Sequence, residues 1–217
     1  MSITSRLEEA YKNHHFKEGA SRKVDELILT VRECLQNGNN EDFKRIWADF
    51  VEVVLTELPN ISHYNISDLE LILMNRGLHE ENLFVLLVCA HVSPNSTEAN
   101  CFLGHAYGRL KKYELAIPCY RRAYELAVGY AQKSDSHSAY WLDASDYLRH
   151  LALCEVRLGR LQEALLTLSQ SMKLLNHAHC EWKKDEIFRS MSIVFRLQKS
   201  PLAKVYYRKA LEYRKKR

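Results

Sequence analysis

The stretch Leu103–Leu126, "LGHAYGRLKKYELAIPCYRRAYEL", decides the fold. Small residues recur in it at fixed distances from aromatic ones: Gly104, Ala116 and Ala123 alternate with Tyr107, Tyr113 and Tyr120. Two helices approach closely only where the side chains between them are small, and bulky rings then fill the space beside the crossing. Gly104, Ala116 and Ala123 are small enough for such close approaches, and Tyr107, Tyr113 and Tyr120 are large enough to fill the space beside them.

The pattern returns twice. In "LALCEVRLGRLQEALLTLSQSMKLL", Ala164 takes the place of Ala116, Ala152 that of Gly104, Leu168 that of Tyr120 and Ser171 that of Ala123. In "SMSIVFRLQKSPLAKVYYRKAL", Ala203, Tyr207 and Ala210 match Ala116, Tyr120 and Ala123, and Pro201 suits the first turn of a helix. Ala164 follows Ala116 by 48 residues and Ala203 follows Ala164 by 39, so the first interval is the longer. The excess falls near "AQKSDSHSAYWLDAS" and predicts longer helices with a polar turn at Lys133 to Ser138.

On these residues the segment Thr97–Tyr130 resembles a tetratricopeptide repeat, a helix-turn-helix unit of about 34 residues. Lys111 departs from the resemblance, standing where that family has a turn glycine, and so does Val128, standing where it often has a proline. The resemblance implies an all-α fold, a right-handed helix-turn-helix solenoid. It also places Gly104 and Ala116 where the two helices of the unit cross, Ala123 where the second helix meets the next unit, and the three tyrosines beside these contacts. The domain expectation is a region 1–93 of degenerate helical units and a region 94–217 with three repeat units. One unit cannot bury its own apolar face, so stacked neighbours supply the core.

The N-terminal half carries helical periodicity. Val24, Leu27, Ile28, Val31 and Leu35 fall on one face, and Phe43, Ile46, Trp47, Phe50, Val54 and Leu55 on another. Gly38 and Pro59 are expected to stop these helices, Asn40 to cap the second, Ser67 to cap a third and Gly77 to end it. "HEENLFVLLVCAHV" lacks periodicity; its length and acidic start favour a buried helix over a strand.

Composition narrows the function classes. The chain has 217 residues, 47% of them hydrophobic, with only seven Gly and four Pro, too little turn chemistry for a sandwich or barrel. The formal charge of +4 permits an acidic or nucleic-acid partner without arguing for one. The first twenty residues hold six charges and no apolar run, and Leu83–Val92 is too short to span a bilayer. The expectation is a soluble cytoplasmic or nuclear protein whose six cysteines are reduced thiols, Cys89, Cys101, Cys119 and Cys154 on apolar faces.

Catalytic chemistry is sparse. The chain has no Gly-rich phosphate loop, no Gly-x-Ser-x-Gly elbow and no Cys-x-x-Cys pair, so neither an enzyme nor a cofactor is expected. His177, His179 and Cys180 in "NHAHC" offer three metal donors without a fourth, and the expectation is no metal. His14 and His15 suit a solvated helix end. Tryptophans and tyrosines at helical spacing are expected in the core rather than as stacking platforms for bases.

In the family resembled, the first helix of each unit lines the groove that holds partner peptides. The resemblance then places Glu98, Cys101, Phe102, His105 and Arg109 along that groove, followed by Asp146, Arg149, His150, Leu153 and Arg157, then Asp185, Phe188, Arg189, Ser192 and Arg196. Arg109, Arg157 and Arg196 recur at the spacings of the small residues, and a row of guanidinium forks suits carboxylate or phosphate. Glu98, Asp146 and Asp185 are candidates to pair with some of them. The chaperone-binding carboxylate clamp of some family members finds only Arg189 in place here. The leading expectation is a non-catalytic interaction scaffold or adaptor that takes a partner peptide of acidic character. The alternative is an RNA-binding protein using the arginine row and the basic C-terminal "YRKALEYRKKR", with Arg208, Lys209, Arg214, Lys215, Lys216 and Arg217.

Overall fold

The computed structural model describes residues 22–37, 40–57, 63–133, 137–178 and 180–215. Gly38, Pro59, His14, His15, His179, Lys216 and Arg217 lie outside them. Among the described residues there are ten α-helices, one 3-10 turn and no strand. They divide into two compact units, one up to Asn95 and one from Ser96.

Among the described residues the first unit holds two helical hairpins: α1 (Arg22–Asn37) with α2 (Asn40–Glu57), and α3 (His63–Asn75) with α4 (His79–Val92). The predicted stripe of α1 is buried at Val24, Ile28, Val31 and Leu35. From α2, Trp47 lies 5.8 Å from Phe43 and 5.1 Å from Phe50 between ring centroids, and 5.9 Å from Phe84 of α4. Trp47 is thus core. The segment without periodicity is helix α4, buried at Leu83, Phe84, Val85, Leu86, Val88 and Cys89. Burial all round the helix is why its sequence shows no amphipathic period.

One expectation fails here. α3 starts at His63, so Ser67 lies inside the helix instead of capping it. Serine is only mildly unfavourable within a helix, so a residue able to cap does not by itself begin one.

The second unit holds three hairpins: α5 (Thr97–Arg109) with α6 (Tyr113–Lys133), α7 (His137–Arg157) with α8 (Leu161–His177), and α9 (Lys184–Leu197) with α10 (Leu202–Arg214). The 3-10 turn Glu181–Lys183 leads into α9. Ser96 caps α5 by accepting from the Ala99 amide at 3.1 Å. α6 and α7 are 21 residues long against 13 for α5, which accounts for the longer first interval.

Four turns share one geometry. Gly77, Lys111, Gly159 and Lys199 all have positive φ, at 71°, 59°, 77° and 55°. At each, the next residue's amide reaches back across the turn: Leu78 to Leu73 O, Lys112 to Tyr107 O, Arg160 to Glu155 O and Ser200 to Phe195 O, at 2.9–3.0 Å. This is the left-handed C-terminal cap that satisfies the last carbonyls of a helix. Lys111 therefore does what the turn glycine does, in a conformation that strains a lysine. The α3–α4 turn joins the series, since Gly77 and Lys111 stand 34 residues apart, one full repeat.

Packing in the second unit follows the small residues. Ala116, Ala123, Ala127 and Ala131 of α6 are fully buried, as are Ala152, Ala164 and Ser171. Gly104 makes room for a ring rather than for a backbone: a Cβ there would lie 2.8 Å from Tyr120 Cε1. α7 and α8 are clasped by two serines. Ser171 Oγ donates to the Ser145 carbonyl at 2.7 Å, and Ser145 Oγ reaches the Ser171 carbonyl at 3.0 Å. Short side chains that satisfy each other's backbone let the helices lie close without orphaning a polar atom.

Candidate functional site: the first-helix face of the C-terminal unit

α5, α7 and α9 lie side by side. The His105 ring of α5 is 4.6 Å from the His150 ring of α7, and Arg149 of α7 reaches Glu186 of α9 at 3.4 Å. Tyr120 bridges the layers from below, edge-on to His105 and stacked with His150, each at 5.5 Å. Phe102 is exposed, its ring 6.2 Å from His105. The structure thus brings together Phe102, His105, His150 and Arg149.

Electrostatics divide the face. Arg149 donates to Asp146 Oδ1 through Nε and Nη2 at 2.9 and 2.7 Å, and it also pairs with Glu186. Arg189 pairs with Asp185 at 3.5 Å. Two of the five arginines of the expected groove are therefore held by carboxylates of their own unit. Burial would raise the Asp146 carboxyl, but His150 and Arg149 outweigh it and hold the group well below the usual carboxylate range. Asp143 is raised by burial, then by Asp146 and Glu98.

Arg109 and Arg157 are the last residues of α5 and α7, and Arg196 is one from the end of α9. All three are exposed. Cations in a last turn complement the carbonyl end of the helix dipole, which is a local reason for arginine there. Cys101 and Asp185 were expected to line the groove but are buried. Cys101 belongs to the core cluster around Tyr120, and Asp185 is tucked beneath Arg189.

Cys101 Sγ lies 3.8 Å from His105 Nε2, a juxtaposition that sequence reading did not single out although the two stand one helical turn apart. Burial, with Asp146 and Asp143 nearby, pushes the thiol up to about 12. Burial, then His150 and Arg109, lower the imidazole to about 4. Both partners are neutral at neutral pH, so they do not form the thiolate–imidazolium pair that nucleophilic chemistry needs. Cys89 is likewise pushed up to about 12, and Cys119 and Cys154 to about 11, by burial.

No group of three or more His, Cys, Asp or Glu arranged to hold a metal occurs among the described residues. Of the tryptophans, Trp182 is exposed and departs from the core expectation, with Lys183 over its ring at 5.5 Å.

Sequence reading also missed a cleft. Between α9 and α10 lies a cavity of about 810 Å³ lined by Arg196, Lys199, Lys204, Arg208, Ala203 and Tyr207, among others. Its signal was present in the sequence, since Lys204 and Arg208 are one helical turn apart with Tyr207 between them. Arg196 thus stands both in the arginine row and at the rim of this cleft.

Helical hairpins joined by left-handed turns, with small residues at their crossings, are the architecture of tetratricopeptide-repeat proteins. Residues 97–127 match the tetratricopeptide repeat family, so the chain carries such a repeat there. No curated protein matches the sequence. Among solved structures, a crystal structure of MamA is 19% identical and covers 86% of this chain and 95% of its own, with a TM-score of 0.58. MamA from Desulfovibrio magneticus RS-1, from residue 41 onward, is 15% identical, with coverages of 91% and 98% and a TM-score of 0.58. A putative kinesin light chain of Podosopora anserina with nearly identical TPR-like repeats is 14% identical, with coverages of 100% and 98% and a TM-score of 0.58. At these identities the likeness is one of fold: all-α, of the tetratricopeptide-repeat kind. Among the described residues no helix is long and apolar enough to cross a membrane.

Proposed function

We propose that the chain is a non-catalytic protein-interaction scaffold that holds an extended acidic peptide segment across the C-terminal ends of α5, α7 and α9. The observation that carries this reading is the recurrence of an exposed arginine, Arg109, Arg157 and Arg196, in the last turn of three successive first helices. Neither Arg157 nor Arg196 enters an ion pair among the described residues, whereas Arg149 and Arg189 are already engaged. Phe102 adds an apolar contact on the same helix as Arg109. Repeat folds of this kind present long surfaces suited to peptides. The neutral Cys101 and His105 favour binding over catalysis. Six thiols without a disulfide fit a cytoplasmic or nuclear setting.

Exposed charge contacts are worth well under about 1 kcal/mol each, and shielded ones about 1.5–3. The test is fluorescence anisotropy with a labelled acidic peptide kept extended by prolines, against a basic peptide of equal length. The acidic peptide should bind selectively, and R109E/R157E/R196E should abolish binding with the helical circular dichroism unchanged. Equal binding by the triple variant defeats the reading. A single-stranded RNA that binds more tightly than the peptide, with affinity falling steeply in salt, favours the nucleic-acid alternative instead.

A further inference from the structure

The three repeat registers place Tyr120, Leu168 and Tyr207 at one equivalent position, four residues after Ala116, Ala164 and Ala203. Tyr120 is 3% exposed and Leu168 is fully buried, because the first helix of the following hairpin covers each of them. Over Tyr120 that helix is α7, which brings His150 to the ring. Over Leu168 it is α9, which brings Ile187 and Met191. Tyr207 is 54% exposed, with no described helix over it. The same holds one turn earlier, where Ala116 and Ala164 are fully buried but Ala203 is not. The uncovered surface is the α9–α10 cleft, so its shape is that of a seat which a helix fills in both preceding hairpins.

Its charge says what kind of helix. Arg196, Lys199, Lys204 and Arg208 surround Ala203 and Tyr207, and no carboxylate lines the cleft. None of the four cations has an ion-pair partner among the described residues. A neutral apolar helix would leave four cations at its edges without counter-charge, and a basic one would be repelled. A helix with small and apolar residues on one face and Glu or Asp along its flanks meets both the floor and the rim.

We propose that the cleft between α9 and α10 docks one acidic amphipathic helix of a partner protein, seated on Ala203 and Tyr207 and flanked by Lys199, Lys204 and Arg208. The site does not depend on the extended-peptide reading, with which it shares only Arg196. A floor at the register position that a helix covers in both preceding hairpins favours a protein over a nucleic acid.

The experiment uses the full chain and a labelled, stapled 16-residue helix carrying Ala and Leu at i, i+3, i+4 and i+7 spacing with Glu on its flanks. Controls are the same helix with Lys for Glu, the proline-containing acidic peptide, and a single-stranded RNA. The acidic helix should bind with micromolar affinity. K204E/R208E should weaken it at least tenfold and Tyr207→Ala several-fold, all with parental circular dichroism. R109E/R157E should leave helix binding intact while impairing the extended peptide, so the two readings fail separately. The proposal is overturned if the acidic helix does not bind, if the Lys helix or the RNA binds as well, or if K204E/R208E has no effect. Concentration-dependent dimerisation in sedimentation that disappears in Tyr207→Ala also overturns it, since the occupant is then a second copy.

Discussion

Gly104 and the ring of Tyr120 are in such contact that a methyl group on Gly104 would sit 2.8–2.9 Å from three ring carbons. The ring has nowhere to retreat, with His150 stacked on it and His105 at its edge. Gly104→Ala should therefore overpack the site and cost about 1–3 kcal/mol, despite alanine's better helix propensity. Gly129 in α6 is the contrast, since a Cβ there meets nothing within 4 Å. Gly129→Ala should stabilise by about 0.5–1 kcal/mol. Thermal melts moving in opposite directions are the expected result; a stabilised Gly104→Ala variant would show that the ring can move.

The turns give a second pair of variants. Lys111 holds φ 59° and Gly159 φ 77°, in equivalent caps. A left-handed residue with a side chain is strained by about 1–2 kcal/mol, partly offset by its smaller entropy loss on folding. Lys111→Gly should thus raise stability by about 0.5–1 kcal/mol. Gly159→Ala should lower it by about 1 kcal/mol through conformation alone, because a Cβ at Gly159 meets no neighbour. Denaturant midpoints at unchanged slope measure both.

The repeat core was legible in the sequence because close crossings demand small residues, and Ala116, Ala164 and Ser171 are conspicuous at their spacing. The α3–α4 hairpin escaped the same reading. Gly77 marks the start of a 34-residue interval only once Lys111 is known to adopt the glycine conformation, and a lysine gives no sign of that. The pairing of Arg149 with Asp146 follows from i, i+3 spacing on one helix. Its second partner, Glu186, stands on another helix and needs the packing to be found. Tyr207 matched Tyr120 by residue type, yet exposure depends on what covers a residue, and type carries no record of a cover.

Thiol chemistry should follow burial. Cys89, Cys101 and Cys154 are buried, with thiols pushed up to about 12, 12 and 11. The thiolate is the reactive form, so these three should resist maleimide at pH 7 in the folded chain and react once it is unfolded in guanidinium. Peptide mapping by mass spectrometry reads the outcome. Rapid native labelling of Cys101 would contradict the packing around Tyr120.

Acidification should loosen the α5–α7 contact through His105. Its folded imidazole is lowered to about 4 by burial, His150 and Arg109, below the ordinary value of about 6.5. The unfolded chain therefore takes up a proton that the folded chain refuses between these two values. His105 contributes its full stability above pH 6.5 and loses it as the pH falls toward 4. Asp146 acts lower: its carboxyl is held below the usual range, so its contribution is lost only as the pH falls further. Asp143 and Glu155 oppose the His105 effect in part, because their raised carboxyls favour the folded state as they take up protons. Comparing the parent with His105→Phe separates these terms, since phenylalanine keeps a ring against Tyr120 and cannot titrate. Between pH 7 and 4.5 the parent's melting temperature should fall further than the variant's, with the gap opening below pH 6.5. Parallel curves would mean that the His105 imidazole is solvated enough to protonate in place.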